Sequence, residues 1–309
     1  MTTRTTIFGT LASFVLAGSV SGQAGEEARI GSETNPQVQA ISSTPADDGY
    51  RHVPGGRMVH KSCIHQVEEG EVVLDDTTVQ RADGTLRHVP ACVYPERRPG
   101  GFPLPTDNGW IEYASWGYSS KYLIKMYSNW HVPNPPTVYG GQTIYFFHAF
   151  QNKEGTALVQ PVLEYGLPAG GAKFAAQSWY GSNGTYWNSA RLNAYPGQKV
   201  SGNMTASSCN SLGHCTWKII TTLDDTWSTT LTITSYQSFW WVDGAVLEAY
   251  SVDSCSKYTK SGWTRFAPMG IQQAGGAWLT PNWSPWIDNY NCGEQVVINN
   301  PLDIQLGIS

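Results

Sequence analysis

Ala157-Leu158-Val159-Gln160-Pro161-Val162-Leu163-Glu164-Tyr165-Gly166 reads as a buried strand that carries an amide and a carboxyl. Side chains alternate along a strand, so Gln160, Val162 and Glu164 share one face while Val159, Leu163 and Tyr165 share the other. A second stretch, Trp240-Trp241-Val242-Asp243-Gly244-Ala245-Val246-Leu247-Glu248-Ala249-Tyr250, sets Glu248 among apolar neighbours. Amides and carboxyls in core-like strands are costly unless they are hydrogen-bonded or do chemistry. The two strands are therefore expected to meet and form one site. Pro161 inside the first strand argues for a sheet edge or a bulge there.

Outward from these two stretches, further β signals follow closely. They fall at Tyr122–Tyr127, Thr143–Gln151, Ala172–Tyr180, Thr185–Arg191, Gln198–Ala206, Cys215–Thr222, Trp227–Thr234 and Gln295–Asn299, with Gly, Pro, Asn or Asp between them. Tyr180-Gly181-Ser182-Asn183-Gly184 reads as a hairpin turn. No convincing helical period runs beyond about three turns. Many short strands joined by turns indicate an all-β, two-sheet sandwich or jelly roll. The composition agrees: 32 Gly, 18 Pro and 12 % aromatics suit a turn-rich β protein and do not suit a helical one.

The N-terminal third is organised differently. Arg4, the apolar run Ile7–Val20 and small residues around Ser21, Gly22 and Ala24 form a secretory signal pattern spanning 1–24. Residues 25–49 are polar, small and unpatterned, and are expected to be disordered. Residues 50–105 hold short β-prone runs punctuated by Gly and Pro, including Val53-Pro54-Gly55-Gly56, and end in a Pro- and Gly-rich linker with the dibasic pair Arg97-Arg98. The sandwich is assigned to 106–309. Cys63, Cys92, Cys209, Cys215, Cys255 and Cys292 make an even set in an exported chain, so proximity suggests the pairs Cys63–Cys92, Cys209–Cys215 and Cys255–Cys292. Sequons at Asn183, Asn203 and Asn282 are expected on the surface. A net charge of −5 with no basic block argues against nucleic acid, and no segment is long and apolar enough to span a membrane.

Several chemistries can be set aside. The chain has no His-Glu-x-x-His, no Gly-x-Ser-x-Gly and no phosphate-cradling Gly loop, so neither metal nor cofactor is called for. His131, His148 and His214 stand singly. What remains is a Gln and a Glu in apolar strands. A carboxylate can take a proton from water that attacks a carbonyl, while an amide donates to the developing oxyanion. Glu164, on the face of Gln160, is a rival for the carboxylate role.

In that context the order of residues from about Ser128 onward resembles the glutamic peptidases of the eqolisin type and, more loosely, the neprosin type. The matched pieces are Asn129-Trp130-His131-Val132-Pro133, Leu158-Val159-Gln160, Ser178-Trp179-Tyr180, Ala194-Tyr195-Pro196-Gly197 and Val246-Leu247-Glu248. The resemblance implies a jelly-roll, concanavalin A-like sandwich with a catalytic Gln/Glu pair, here Gln160 and Glu248. It implies an acid-acting, secreted endopeptidase, a polypeptide substrate, and a place for Tyr50–Arg98 where the family has a propeptide. A monomer is expected. Trp130, Trp179, Tyr180 and Trp241, with Trp116, are the aromatic candidates for lining a substrate cleft. The same aromatic excess supports another class of function, a non-catalytic sandwich that binds carbohydrate or a surface partner.

Overall fold

The computed structural model describes residues 48–97, 107–117, 120–260, 262–288 and 290–308, all within the compact unit Asp47–Ser309. The expected signal segment, the expected disordered stretch up to residue 47 and linker residues 98–106 lie outside the described residues. The N-terminal strands are β1 (Tyr50–Val53), β2 (Arg57–His60), β3 (Ile64–Gln66), β4 (Val72–Val73), β5 (Thr78–Gln80) and β6 (Leu86–His88). The middle of the chain forms β7 (Asp107–Gly117), β8 (Leu123–His131), β9 (Thr143–Gln151), β10 (Ala157–Gly166), β11 (Gly171–Ser182), β12 (Thr185–Asn188) and β13 (Leu192–Ala194). Then come β14 (Lys199–Ser207), β15 (Thr216–Leu223), β16 (Trp227–Thr234) and β17 (Trp241–Val252). The last strands are β18 (Gly262–Phe266), β19 (Met269–Gln273), β20 (Ser284–Ile287), β21 (Gln295–Asn300) and β22 (Asp303–Ile308).

Two large sheets face each other, as the short-strand pattern predicts. One runs β20-β7-β17-β9-β10-β11-β12-β3, with β13 beside β11; the other runs β19-β8-β14-β15-β16-β4-β5-β6. Strands from residues 64–88 join this sandwich. β3 adds in parallel to β12 at the edge of the first sheet, and β4 adds in parallel to β16 at the edge of the second. β1 and β2 form a separate hairpin. Among the described residues no helix is long and apolar enough to cross a membrane.

At its centre the first sheet is buried on both faces, which explains why β9 and β10 read as near-continuous apolar runs. Its inner face packs Phe146, Phe150, Val159, Leu163 and Tyr165 against Trp130, Trp217, Ile219 and Leu231 of the second sheet. Its outer face packs Tyr145, Phe147, Leu158, Val162, Trp179 and Val246 against Val53 and Val59 of the β1–β2 hairpin. Alternation therefore sorts β10 as expected: Val162 faces out with Gln160 and Glu164, Val159 and Leu163 face in.

Pro161 departs from expectation. β10 lies centrally, between β9 and β11, and its register with β11 runs through Pro161↔Ser178 without a shift. The missing N–H is tolerated because the pairing with β9 lapses between Val159↔Phe150 and Val162↔Phe147. The ring then fills the space beside Gly202 of the opposite sheet, where a Cβ would come 2.4 Å from Pro161 Cγ.

All three disulfides are those that proximity suggests, Cys63–Cys92, Cys209–Cys215 and Cys255–Cys292. Asn183 and Gly184, both with positive φ (48° and 83°), form the two-residue turn between β11 and β12. Asn183 and Asn282 are exposed, and Asn203 is half-buried.

Candidate active site

Gln160 and Glu248 come from β10 and β17, with β9 between them, and both are fully buried. What buries them is the tip of the β1–β2 hairpin. Gln160 Nε2 donates to the Pro54 carbonyl at 2.8 Å. Gly55 N–H donates to Glu248 Oε2 at 2.8 Å and Gly56 N–H to Oε1 at 3.0 Å. One peptide unit, Pro54–Gly55, is thus bracketed: the amide holds its carbonyl oxygen and the carboxylate holds its N–H. The sequence Val53-Pro54-Gly55-Gly56 allows this close approach. Gly55 and Gly56 have φ of +114° and +75°, and a Cβ at Gly55 would lie 2.7 Å from Leu158 Cδ1.

The carboxyl of Glu248 also accepts from the Tyr250 hydroxyl, two residues along on the same strand face. Burial pushes its pKa up to about 7. Hydrogen bonds from Tyr250, Gly55 and Gly56 oppose that shift, as does the neighbouring Trp110 indole, although Trp110 Nε1 makes no hydrogen bond among the described residues. Burial outweighs the donors, so the group gains and loses its proton near neutrality. On the amide side, Gln160 Oε1 has no partner among the described residues.

Around the pair the hairpin is well anchored. Tyr145 of β9 donates to the His52 carbonyl at 3.0 Å, and the His52 ring stacks on Tyr250 with centroids 3.8 Å apart. Burial lowers the His52 pKa to about 4, so this imidazole is neutral in the docked hairpin. A second carboxyl, Glu164, sits across Tyr145 from Glu248, since both pair with that residue. It is fully buried, its Oε1 accepts from Arg191 Nε at 2.7 Å, and burial raises its pKa to about 7 against the pull of Arg191. At strand spacing the two glutamates are roughly 10 Å apart at their backbones. Glu164 touches Arg191 and does not touch the Pro54–Gly55 peptide.

The aromatic candidates divide. Trp179 lies on the outer face with Tyr145 and Val162, and Trp241 is exposed at the start of β17. Trp130 and Tyr180 face inward: Trp130 stacks on Phe266 between the sheets, and the Tyr180 hydroxyl lies by Ser235. Both flank inner-face positions, which alternation alone could not reveal without knowing which face is the cleft. Sequence reasoning missed Pro54–Gly56, His52, Trp110 and Tyr250. Tyr250 had a signal in its two-residue spacing from Glu248; the hairpin had none, because it lies almost 200 positions from its partner.

No protein-family model matches the chain, and no curated protein matches it in sequence. Among solved structures, the chain is similar to scytalidoglutamic peptidase bound to a peptide-based transition-state analogue: TM-score 0.48, 10 % identity, 66 % of this chain and 100 % of that one. It is similar to SCP-B, a member of the eqolisin family in complex with the tripeptide Ala-Ile-His, with TM-score 0.47 and 10 % identity over the same shares of the two chains. A Bacillus licheniformis β-glucanase follows at TM-score 0.29 and 13 % identity, over 57 % of this chain and 68 % of that one.

Proposed function

We propose that this chain is the latent form of a secreted glutamic-type endopeptidase, with Gln160 and Glu248 as its catalytic pair. The observation that carries the reading is the bracketing of a single backbone peptide by exactly these two side chains.

Displacing the hairpin exposes Glu248 and relieves the burial that raises its pKa, so that as a carboxylate it takes a proton from water, and the hydroxide equivalent attacks a substrate carbonyl. Gln160 Nε2 donates to the oxygen as it gains charge, at the place the Pro54 carbonyl now occupies. Protonated Glu248 then returns the proton to the leaving amine, whose position the Gly55 nitrogen marks. Tyr250 holds the carboxyl in place throughout. The docked hairpin is held and not cut, because Gly55, Gly56 and Tyr250 take three of the roughly four lone-pair sites of the carboxylate. Little is left to direct water at the Pro54 carbon.

A carbohydrate-binding function keeps one observation in its favour, the exposed Trp241 and Trp286 on the first sheet. It gives no account of the buried amide and carboxyl closing on one peptide. The test is incubation of the purified chain, its hairpin released by Gly55→Ala, with denatured casein at about pH 4, near the carboxyl range. Cleavage that is lost in Glu248→Gln, with the melting transition retained, supports the peptidase. Undiminished cleavage in that variant overturns it.

A further inference from the structure

The end of the sandwich opposite the β11–β12 turn carries a patch that the Gln160/Glu248 pair does not use. Three loop tips there are apolar and exposed. They are Val138 (44 %) and Tyr139 (39 %) between β8 and β9, Leu167 (62 %) between β10 and β11, and Tyr195 (64 %) between β13 and β14. Single exposed apolar residues are ordinary, whereas a joined set of them marks an interaction site.

These tips are joined. The fully buried Gln142 donates from Nε2 to the Val138 carbonyl at 2.7 Å and to the Lys257 carbonyl at 3.0 Å. Its Oε1 accepts from Gly140 N–H at 2.8 Å, and its backbone carbonyl accepts from Leu167 N–H at 3.3 Å. The Tyr139 ring meets Tyr165 edge-on at 6.2 Å, and Tyr165 packs on Phe174 at 4.8 Å. Phe174 in turn lines a hollow of about 330 Å³ with Pro135, Lys173, Tyr195 and Pro196. Tyr165 and Phe174 are buried, so the exposed tips stand on a packed base.

Charge is sparse here and mostly positive. Loops 132–142, 166–173, 195–198 and 253–260 hold four charged residues, Lys173, Asp253, Lys257 and Lys260. Asp253 is taken by Lys257 at 2.8 Å, while Lys173 and Lys260 are exposed. Asp224-Asp225 borders the patch beside Gln198, with Lys199 Nζ 2.9 Å from Asp225. A chain of net charge −5 thus turns an apolar end with two exposed lysines outward.

We propose that this end docks on an anionic lipid surface. Leu167, Val138 and the rings of Tyr139 and Tyr195 enter the headgroup region, and Lys173 and Lys260 face the lipid phosphates. Tyrosine suits that depth, since its ring is apolar and its hydroxyl stays wet. Lysines near such a surface add an attraction that salt weakens. The contact lies on the membrane and needs no spanning segment. Leu167 also lines the cavity of about 480 Å³ beside β1, so docking brings that mouth of the cleft to the lipid. The inference stands apart from the peptidase reading, because it uses neither Gln160 nor Glu248.

The test is cosedimentation of the full chain at pH 7 with vesicles of phosphatidylcholine, alone or with about one-third phosphatidylserine. The expected result is binding at least about tenfold tighter to the mixed vesicles, weakened by added salt. Leu167→Ser and Tyr195→Ser should each weaken it at least about fivefold, and Lys173→Ala/Lys260→Ala should remove the preference for phosphatidylserine. Leu212→Ser, at the opposite end and 66 % exposed in the wild type, should leave binding unchanged. No binding, equal binding to both lipids, or an equal loss in Leu212→Ser would overturn the proposal. So would a dimer seen by light scattering that Leu167→Ser dissociates while the vesicles stay bare, which assigns the patch to a second copy.

Discussion

Gln160, Glu164 and Glu248 are all fully buried, and what separates their roles is the partner of each. Glu164 is committed to Arg191, whereas Gln160 and Glu248 hold the two ends of one peptide. Gln160→Ala should therefore lower kcat by about 10²–10³, the range for losing one oxyanion donor. Glu164→Gln should keep casein cleavage within about tenfold of the wild type while lowering the melting temperature, because it leaves Arg191 facing a neutral amide. Steady-state rates at pH 4 check both, and a Glu164→Gln variant as dead as Glu248→Gln would reassign the carboxyl. These three residues were legible in sequence because each breaks an apolar strand. Which carboxyl meets the Pro54–Gly55 peptide was not legible, since Arg191 sits on a different segment 27 positions from Glu164 and the hairpin lies farther away still.

The hairpin is the element that decides whether the pair is exposed. Its turn depends on two glycines with positive φ, and Gly55 has no room for a side chain beside Leu158. Gly55→Ala is expected to expel the tip at a cost in backbone strain of roughly 1–2 kcal/mol, leaving both sheets paired. The Cys63–Cys92 bridge closes 29 residues and ties the base of the hairpin to the chain after β6. Chain-entropy bookkeeping gives it roughly 3–4 kcal/mol. Mild reduction should thus raise activity before it unfolds the sandwich, read as cleavage rate against near-ultraviolet circular dichroism; reduction that leaves the rate flat while the bridge opens would count against the hairpin as the block. At this scale the central strands were legible from their apolar runs, and β9 and β16 coincide with the expected bounds. β7, β13, β18–β20 and β22 escaped notice. Most are three to six residues long, too brief for alternation to register, while the 11-residue β7 carries Gly109 and is broken by register shifts against β17. The parallel pairings of β3 and β4 escaped as well, because such contacts join segments far apart in the chain.

For the molecule as a whole, buried titratable groups set a pH profile. Burial raises Glu164, Asp243 and Glu248 to about 7 and Glu112 to about 9. A carboxyl whose folded pKa is raised binds its proton more tightly when folded, so stability rises as pH falls from about 9 toward the ordinary carboxyl range. His52 and His148 act in the opposite sense. Burial lowers them to about 4 and about 3, so the stability they contribute is complete above about 6.5 and lost as pH falls through the folded values. Four carboxyls outnumber two histidines between about pH 4.5 and 6.5, so on these groups the melting temperature should peak near pH 4 and fall by at least about 5 °C at pH 8.5, given a few degrees per kcal/mol for a chain of this size. A melting temperature that climbs steadily to pH 8.5 would contradict the burial of those carboxyls.

The account turns on whether the Pro54–Gly55 peptide occupies the place of a substrate. Initial rates of casein cleavage at pH 4 for the wild type, Gly55→Ala and Gly55→Ala/Glu248→Gln test it most directly. The expected result is a Gly55→Ala rate at least tenfold above the wild type, abolished by the second substitution. A double variant that cuts as fast as Gly55→Ala, or a Gly55→Ala variant that folds and remains silent, would contradict it.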